Sequence, residues 1–160
     1  MKIGVISDTH IPKAAVDLPE AVYNDFVDCE LILHAGDLVE IDVLNKLERL
    51  APVRAVQGNM DMRNVKDLLP KKDIIEAGKF KIGLIHGYGN PHGLIKAVKS
   101  EFKNGIDVIV FGHAHTPTNE KIGKTLFFNP GSPTDTVFAP YNSYGVLEVN
   151  DTIEGRIIRI

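Results

Sequence analysis

Residues 2–10, KIGVISDTH, decide how the rest of the chain is read. The apolar run is short and β-branched, and it stops abruptly at Asp8, Thr9 and His10. A run of this length reads as a buried strand, because a helix needs roughly ten or more residues. The same pattern recurs at LILH (31–34), VRAVQ (53–57), IGLIH (82–86) and DVIVF (107–111). Helix-like stretches lie between these runs. LPEAVYNDFV (18–27) opens on Pro19 and Glu20, which suit a first turn. IDVLNKLERL (41–50) sets Val43, Leu44, Leu47 and Leu50 at helical spacing and is stopped by Pro52. GLIKAVKSEFKNG (93–105) puts Leu94, Ile95, Val98 and Phe102 on one face and ends at Gly105. Alternation of strand and helix over the first 112 residues predicts an α/β domain.

The C-terminal part differs. KTLFFN, SYGVLEVN and GRIIRI follow one another with only turns between them, a pattern that predicts antiparallel strands. The expectation is a mostly parallel sheet packed on a second, more antiparallel one. This amounts to two mixed sheets flanked by helices in a single domain over residues 1–160.

Bulk properties narrow the function classes. A chain of 160 residues, 44% hydrophobic and 24% charged, suits one soluble domain with a proper core. A formal charge of −3 gives no broad electrostatic reason for nucleic acid or an anionic membrane as partner. Cys29 is the only cysteine, which excludes an internal disulfide and a thiolate cage. The N-terminal apolar run is too short for a signal peptide and no run approaches a membrane span, so the cytoplasm is the expected location.

The informative residues are those that end the apolar runs. Asp8-Thr9-His10 follows the first, and His34 and Gly36-Asp37 the second. Gly58-Asn59 follows the third, and the last two end at His86-Gly87 and Gly112-His113-Ala114-His115. Strand ends on one side of an α/β sheet converge, and ligands bind outside them. Asp8, His10, Asp37, Asn59, His86, His113 and His115 are thus expected at one place. A Gly-Asn or Gly-Asp pair alone is ordinary turn chemistry, and a lone histidine is usually structural. Their joint recurrence, in order and each at a strand end, points to a shared metal site.

Seven nitrogen and oxygen donors exceed one tetrahedral site, so two metals about 3.5–4 Å apart are expected. Imidazole, carboxylate and amide without thiolate suit divalent transition metals better than calcium: manganese foremost, with zinc, iron, nickel or cobalt as alternatives. Two such ions bring four positive charges and the two aspartates return two. The remaining positive charge favours a phosphate ester as substrate. A single-metal or non-phosphate hydrolase is the competing reading, but it leaves Asp37 and the second histidine set without a use.

At these residues the sequence resembles the calcineurin-like metallophosphoesterases, through SDTH, HAGD, GN, IHG, GHAH and then NPGS, spanning residues 7–132. The small size and the NPGSPTD ending look most like the compact YfcE-like phosphodiesterase branch. The resemblance implies an αββα sandwich and hydrolysis of phosphodiesters in preference to monoesters. It implies Asp8, His10 and His115 on the first metal, Asn59, His86 and His113 on the second, and Asp37 bridging. A hydroxide bridging the metals would be the nucleophile, with Asn59 also touching the substrate phosphate. Homodimers or homotetramers are common in such relatives. A retromer subunit has the same fold with a degraded site, so a binding scaffold is the alternative. The four ligand histidines favour an enzyme.

One departure matters. Larger relatives carry a histidine directly after the asparagine, credited with protonating the leaving group, and here that position is Met60. The general acid is therefore unassigned, with His92 and Asp61 as weak candidates. His92 reads more readily as a surface residue at a helix start, and Asp61 also as a residue that turns the loop or orients a ligand histidine. Arg63 and Tyr88 are weak candidates for substrate contact, an exposed salt bridge being an equal reading of Arg63. Glu40 reads as a helix N-terminal charge, His34 as a buried residue rather than a ligand, and NPGS either as a backbone lining of the site or as a tight turn.

Overall fold

The computed structural model describes residues 1–103 and 105–160. In chain order the elements begin β1 (Lys2–Ile6), α1 (Glu20–Phe26), β2 (Leu31–His34), α2 (Asp42–Glu48), β3 (Val53–Ala55) and α3 (Arg63–Leu68). They continue with β4 (Lys72–Ala77), β5 (Phe80–Ile85), a 3-10 turn at Pro91–Gly93, α4 (Leu94–Ser100) and β6 (Val108–Val110). The last four are β7 (Thr118–Ile122), β8 (Thr125–Asn129), β9 (Ser143–Val149) and β10 (Ile153–Arg159). The expected helix over 93–105 is shorter, and its reading through Asn104 lies outside the described residues.

Two five-stranded sheets result, ordered β10-β9-β1-β2-β3 and β4-β5-β6-β8-β7. Alternation along β1 explains the layering. Ile3 and Val5 turn inward to a core shared by both sheets, with Leu33, Ile82, Leu84, Val108, Val110 and Leu147. Ile6 turns outward and packs with Val22 and Phe26 of α1 and Val43 and Leu47 of α2. On the far side Leu94 and Val98 of α4 cover Ile109, Phe111 and Phe127. Each fully buried aliphatic side chain contributes about 1.5–3 kcal/mol, so the helical periodicity at Val43, Leu44 and Leu47 is what seats α2.

The layers are helix, sheet, sheet, helix, as the sequence predicts, but the segregation into a parallel and an antiparallel sheet is not found. Each sheet is parallel in part, β1-β2-β3 in one and β5-β6-β8 in the other, and closes with antiparallel strands. The C-terminal strands divide between the sheets. β8 joins β6 in parallel and β7 antiparallel, whereas β9 and β10 pair with β1 on the other side. Local turn chemistry specifies hairpins, but not the crossing between sheets that residues 130–142 make. Three elements also went unforeseen: α3, β4 and β7.

The consequence for function is positional. β1, β2 and β3 of one sheet and β5 and β6 of the other all end at a common edge, so both sheets contribute loops to one site.

Candidate metal centre

The loops at this edge are stitched across the two sheets. The Asp8 carboxylate accepts the His113 N–H at 3.0 Å, and His86 Nδ1 donates to the Ala35 carbonyl at 2.7 Å. Within one sheet, Asp8 N–H donates to Gly36 O and His10 N–H to Asp37 O, both at 3.0 Å. Close approach demands glycine most tightly at two points. A Cβ on Gly58 would overlap Asp37 Oδ1, and one on Gly112 would overlap Ser7 Oγ.

The seven expected donors come together. His10 Nε2 lies 3.2 Å from His115 Nε2, and Asp8 Oδ1 lies 3.3 Å from the latter. Asn59 Oδ1 lies 3.1 Å from both His86 Nε2 and His113 Nδ1. Between the two groups, Asp37 Oδ2 is 3.3 Å from His86 Nε2 and 3.8 Å from His10 Nε2. Asp8 Oδ1 also spans them, 3.9 Å from His10 and 4.0 Å from His86. Two sets, Asp8-His10-His115 and Asp8-Asp37-His86, have donor atoms close enough to hold one ion each.

The chemistry of these donors fits a cation. The outward nitrogen of His86 is protonated toward Ala35 O, that of His113 toward Gly89 O at 3.0 Å, and that of His115 toward Asp135 Oδ2. Each inward nitrogen therefore presents a lone pair to the lone pairs of Asn59, Asp37 or Asp8, which only a proton or a metal ion can reconcile. The pKa values record this demand. Burial opposes a charged His86, but its bond to Asp37 and the charges of Asp8 and Asp37 outweigh burial and raise it to about 9. His115 is likewise raised to about 9, against burial, by Asp8 and Asp135. His10 is lowered, because burial exceeds the pull of Asp8 and Asp37. Despite burial, Asp8 and Asp37 stay below the usual carboxylate range through His115 and His86 respectively.

Asp8, His10, Asp37, His113 and His115 all have φ between 44° and 68°. For residues other than glycine this left-handed conformation costs on the order of 1 kcal/mol each and collects at functional sites. Buried side chains hold it in place. Asp61, 4% exposed, accepts N–H groups from Val39 (2.7 Å), Gly58 (2.6 Å) and Asp37 (3.3 Å). It thus organises the loops that carry Asp37 and Asn59, with both of its oxygens engaged by backbone N–H groups. Asp61→Ala leaves three donors unpaired, and a loss of about 3 kcal/mol in chemical denaturation is the expected result. Unchanged stability would refute this role.

The NPGSPTD turn does the same for the opposite loops, through side chains rather than a backbone lining. Asn129 Nδ2 donates to Gly112 O at 2.9 Å, Ser132 Oγ to Asp8 O at 2.7 Å and Thr134 Oγ1 to Thr9 O at 2.7 Å. Asp135, absent from the sequence reading of the site, orients His115 and also accepts the N–H groups of Val137 and Ala139. Its only signal in the sequence is a run of small hydrogen-bonding residues ending in aspartate.

The remaining candidates divide. Arg63 has a 95% exposed side chain, paired with Asp67 at 3.7 Å, one helical turn along α3. Tyr88 donates to Glu101 at 2.9 Å and lines a cleft beside Asn59 and His86. His92 is exposed on the 3-10 turn. Met60 is 46% exposed, while its N–H donates to Asp37 Oδ1 at 2.6 Å. Glu40 is exposed just ahead of α2, as expected. His34 is buried and held near pKa 4 by that burial, accepting from Gly36 N–H and donating to Thr9 Oγ1.

An αββα sandwich with this donor set at the shared edge of its sheets defines the metallophosphoesterase class. The calcineurin-like phosphoesterase superfamily domain matches residues 1–152, and the chain belongs to that family. A probable metallophosphoesterase of Methanothermobacter thermautotrophicus is 48% identical over 135 residues, covering 84% of this chain and 78% of that protein. Among solved structures, an archaeal phosphodiesterase superposes with TM-score 0.78 at 28% identity over 100% of both chains. Zinc-bound Vps29 of Entamoeba histolytica does so with TM-score 0.76 at 26% identity, over 99% of both chains. Among the described residues no helix is long and apolar enough to cross a membrane.

Proposed function

We propose that the chain is a phosphodiesterase working with two divalent cations, manganese foremost. Asp8, His10 and His115 would hold one, Asn59, His86 and His113 the other, with Asp37 between them. The observation that carries this reading is the set of inward lone pairs, each fixed by a partner on the far side of its ring. When bound, the two cations supply Lewis acidity and an activated water.

The residues around them orient and polarise. Asp135 keeps the Nε2 lone pair of His115 inward, and the Met60 N–H turns the Asp37 carboxylate toward both donor groups. With its Oδ1 aimed at His86 and His113, the Asn59 amide N–H group is the donor suited to a phosphate oxygen. No side-chain acid is assigned. Met60 cannot donate and Asp61 is occupied, so diesters with good leaving groups are the preferred substrates.

A panel of diesters, monoesters and nucleotides, each assayed with manganese, zinc, iron, nickel and magnesium, tests the proposal. Bis(p-nitrophenyl) phosphate is expected to turn over fastest, and His86→Ala and Asn59→Ala to lose most of that activity. The likeness to zinc-bound Vps29 supports a second reading, a metal-binding scaffold. Metal uptake without hydrolysis of any ester would select it over the phosphodiesterase.

A further inference from the structure

The cleft beside Asn59 and His86 holds about 570 Å³, and its lining includes Lys66, Lys71, Lys72, Tyr88 and Glu101. Lys66 lies on α3, Lys72 opens β4 and Lys71 immediately precedes it, so this stretch brings cations to the edge where β3 and β5 end. Lys66 is anchored, its Nζ donating to the Asn59 carbonyl at 2.8 Å. Glu101 neutralises only Lys72, at 2.9 Å, and its other oxygen accepts the Tyr88 hydroxyl. Lys71 is exposed and enters no ion pair among the described residues. With three lysines against one glutamate, these side chains leave two lysines without an acidic partner, and the cleft opens directly on two of the metal-donor residues.

We infer that this cleft is a second anion subsite, taking a phosphate group of the substrate other than the one hydrolysed. The preferred substrates are then diesters that carry a further phosphate, such as terminally phosphorylated oligonucleotides. This rests on the phosphodiesterase reading for its place beside the reacting phosphorus, but not for its affinity for anions. An ammonium group in a cleft interacts with a multiply charged phosphate more strongly than an exposed ion pair does, and salt weakens the interaction. Tyr88 and Glu101 also line the cleft, and Glu101 tunes it by withholding one of its three lysines.

Two measurements test the subsite. Calorimetry of the metal-free protein with inorganic tripolyphosphate should show binding that Lys71→Gln weakens about fivefold. Glu101→Gln should strengthen it, because it frees Lys72. With metal-loaded protein, kcat/KM is compared for a dinucleotide with and without terminal phosphates. Wild type should favour the phosphorylated form, and Lys71→Gln should remove most of that preference. Tripolyphosphate affinity indifferent to both substitutions, or an undiminished preference in Lys71→Gln, overturns the subsite. Tripolyphosphate binding with the expected mutational signs, but no hydrolysis with any metal, would instead refute the phosphodiesterase reading and leave the anion site standing.

Discussion

Asp37→Asn is expected to lower kcat about a thousandfold and to reduce the bound metal to one ion or fewer. The substitution is nearly isosteric, and an asparagine Oδ1 can still accept the Met60 N–H that now binds Asp37 Oδ1 at 2.6 Å. Shape and loop geometry are therefore retained while one negative charge is removed. That charge sits 3.3 Å from His86 Nε2 and 3.8 Å from His10 Nε2, in contact with both donor groups. Two divalent cations within about 4 Å of each other repel strongly, and a shared carboxylate is what offsets the repulsion. Asp8 also reaches both groups, so Asp8→Asn is the natural comparison. Steady-state kinetics and metal analysis on the same samples decide the matter. A variant that keeps two ions and loses less than tenfold in kcat would show that Asp37 is not the bridge.

The convergence of the candidate donors was legible where a strand ends, because the chain can bring distant residues together there with little ambiguity. Asp8, Asp37, Asn59, His86 and the two histidines of GHAH each follow an apolar run whose burial is forced by composition. Elements with weaker apolar signals were not legible. β7 is mostly exposed at the edge of its sheet, and its sequence TNEKI carries no apolar alternation. β4 alternates, with Ile75 and Ala77 buried, but its Ile74 is 53% exposed and blurs the period. The residues that fasten the loops were legible only in part: a loop-turning role was open for Asp61, but Asp135 gave no sign of one. Asp61 and Asp135 act on backbone N–H groups and on one imidazole, and those partners are distant in sequence or featureless as letters. The sheet assignment of β8 was equally hidden, since it depends on pairing with β6 across a crossover.

Metal binding near neutral pH is expected to release protons, up to two per chain, and to raise the melting temperature by about 10 °C under saturating manganese or zinc. His86 and His115 in the metal-free protein have pKa values of about 9, raised from an ordinary 6.5. Below pH 6.5 both are protonated in the folded and the unfolded chain, so their stabilising contacts with Asp37, Asp8 and Asp135 are fully present. Between pH 6.5 and about 9 the unfolded chain gives up protons that the folded chain keeps, so metal-free stability falls across that window. It is lost once the inward lone pairs of the two rings face carboxylate and amide oxygens with no proton between them. A divalent cation held there would take over that place. Its apparent affinity should therefore climb from pH 6.5 to about 9 and then level, and its stabilising effect should be largest at the alkaline end. Asp8 and Asp37 are held below the usual 3.8 and stay ionised throughout the window, so they release nothing. Titration calorimetry in two buffers of different ionisation enthalpy counts the protons, and thermal melts at pH 6 and pH 9 with and without metal read the stability. Affinity and melting shift that do not vary with pH would mean that the two rings are not where the metal binds. In that case the left-handed turns at Asp8, His10, Asp37, His113 and His115 would be held by Asp61 and the NPGSPTD turn alone.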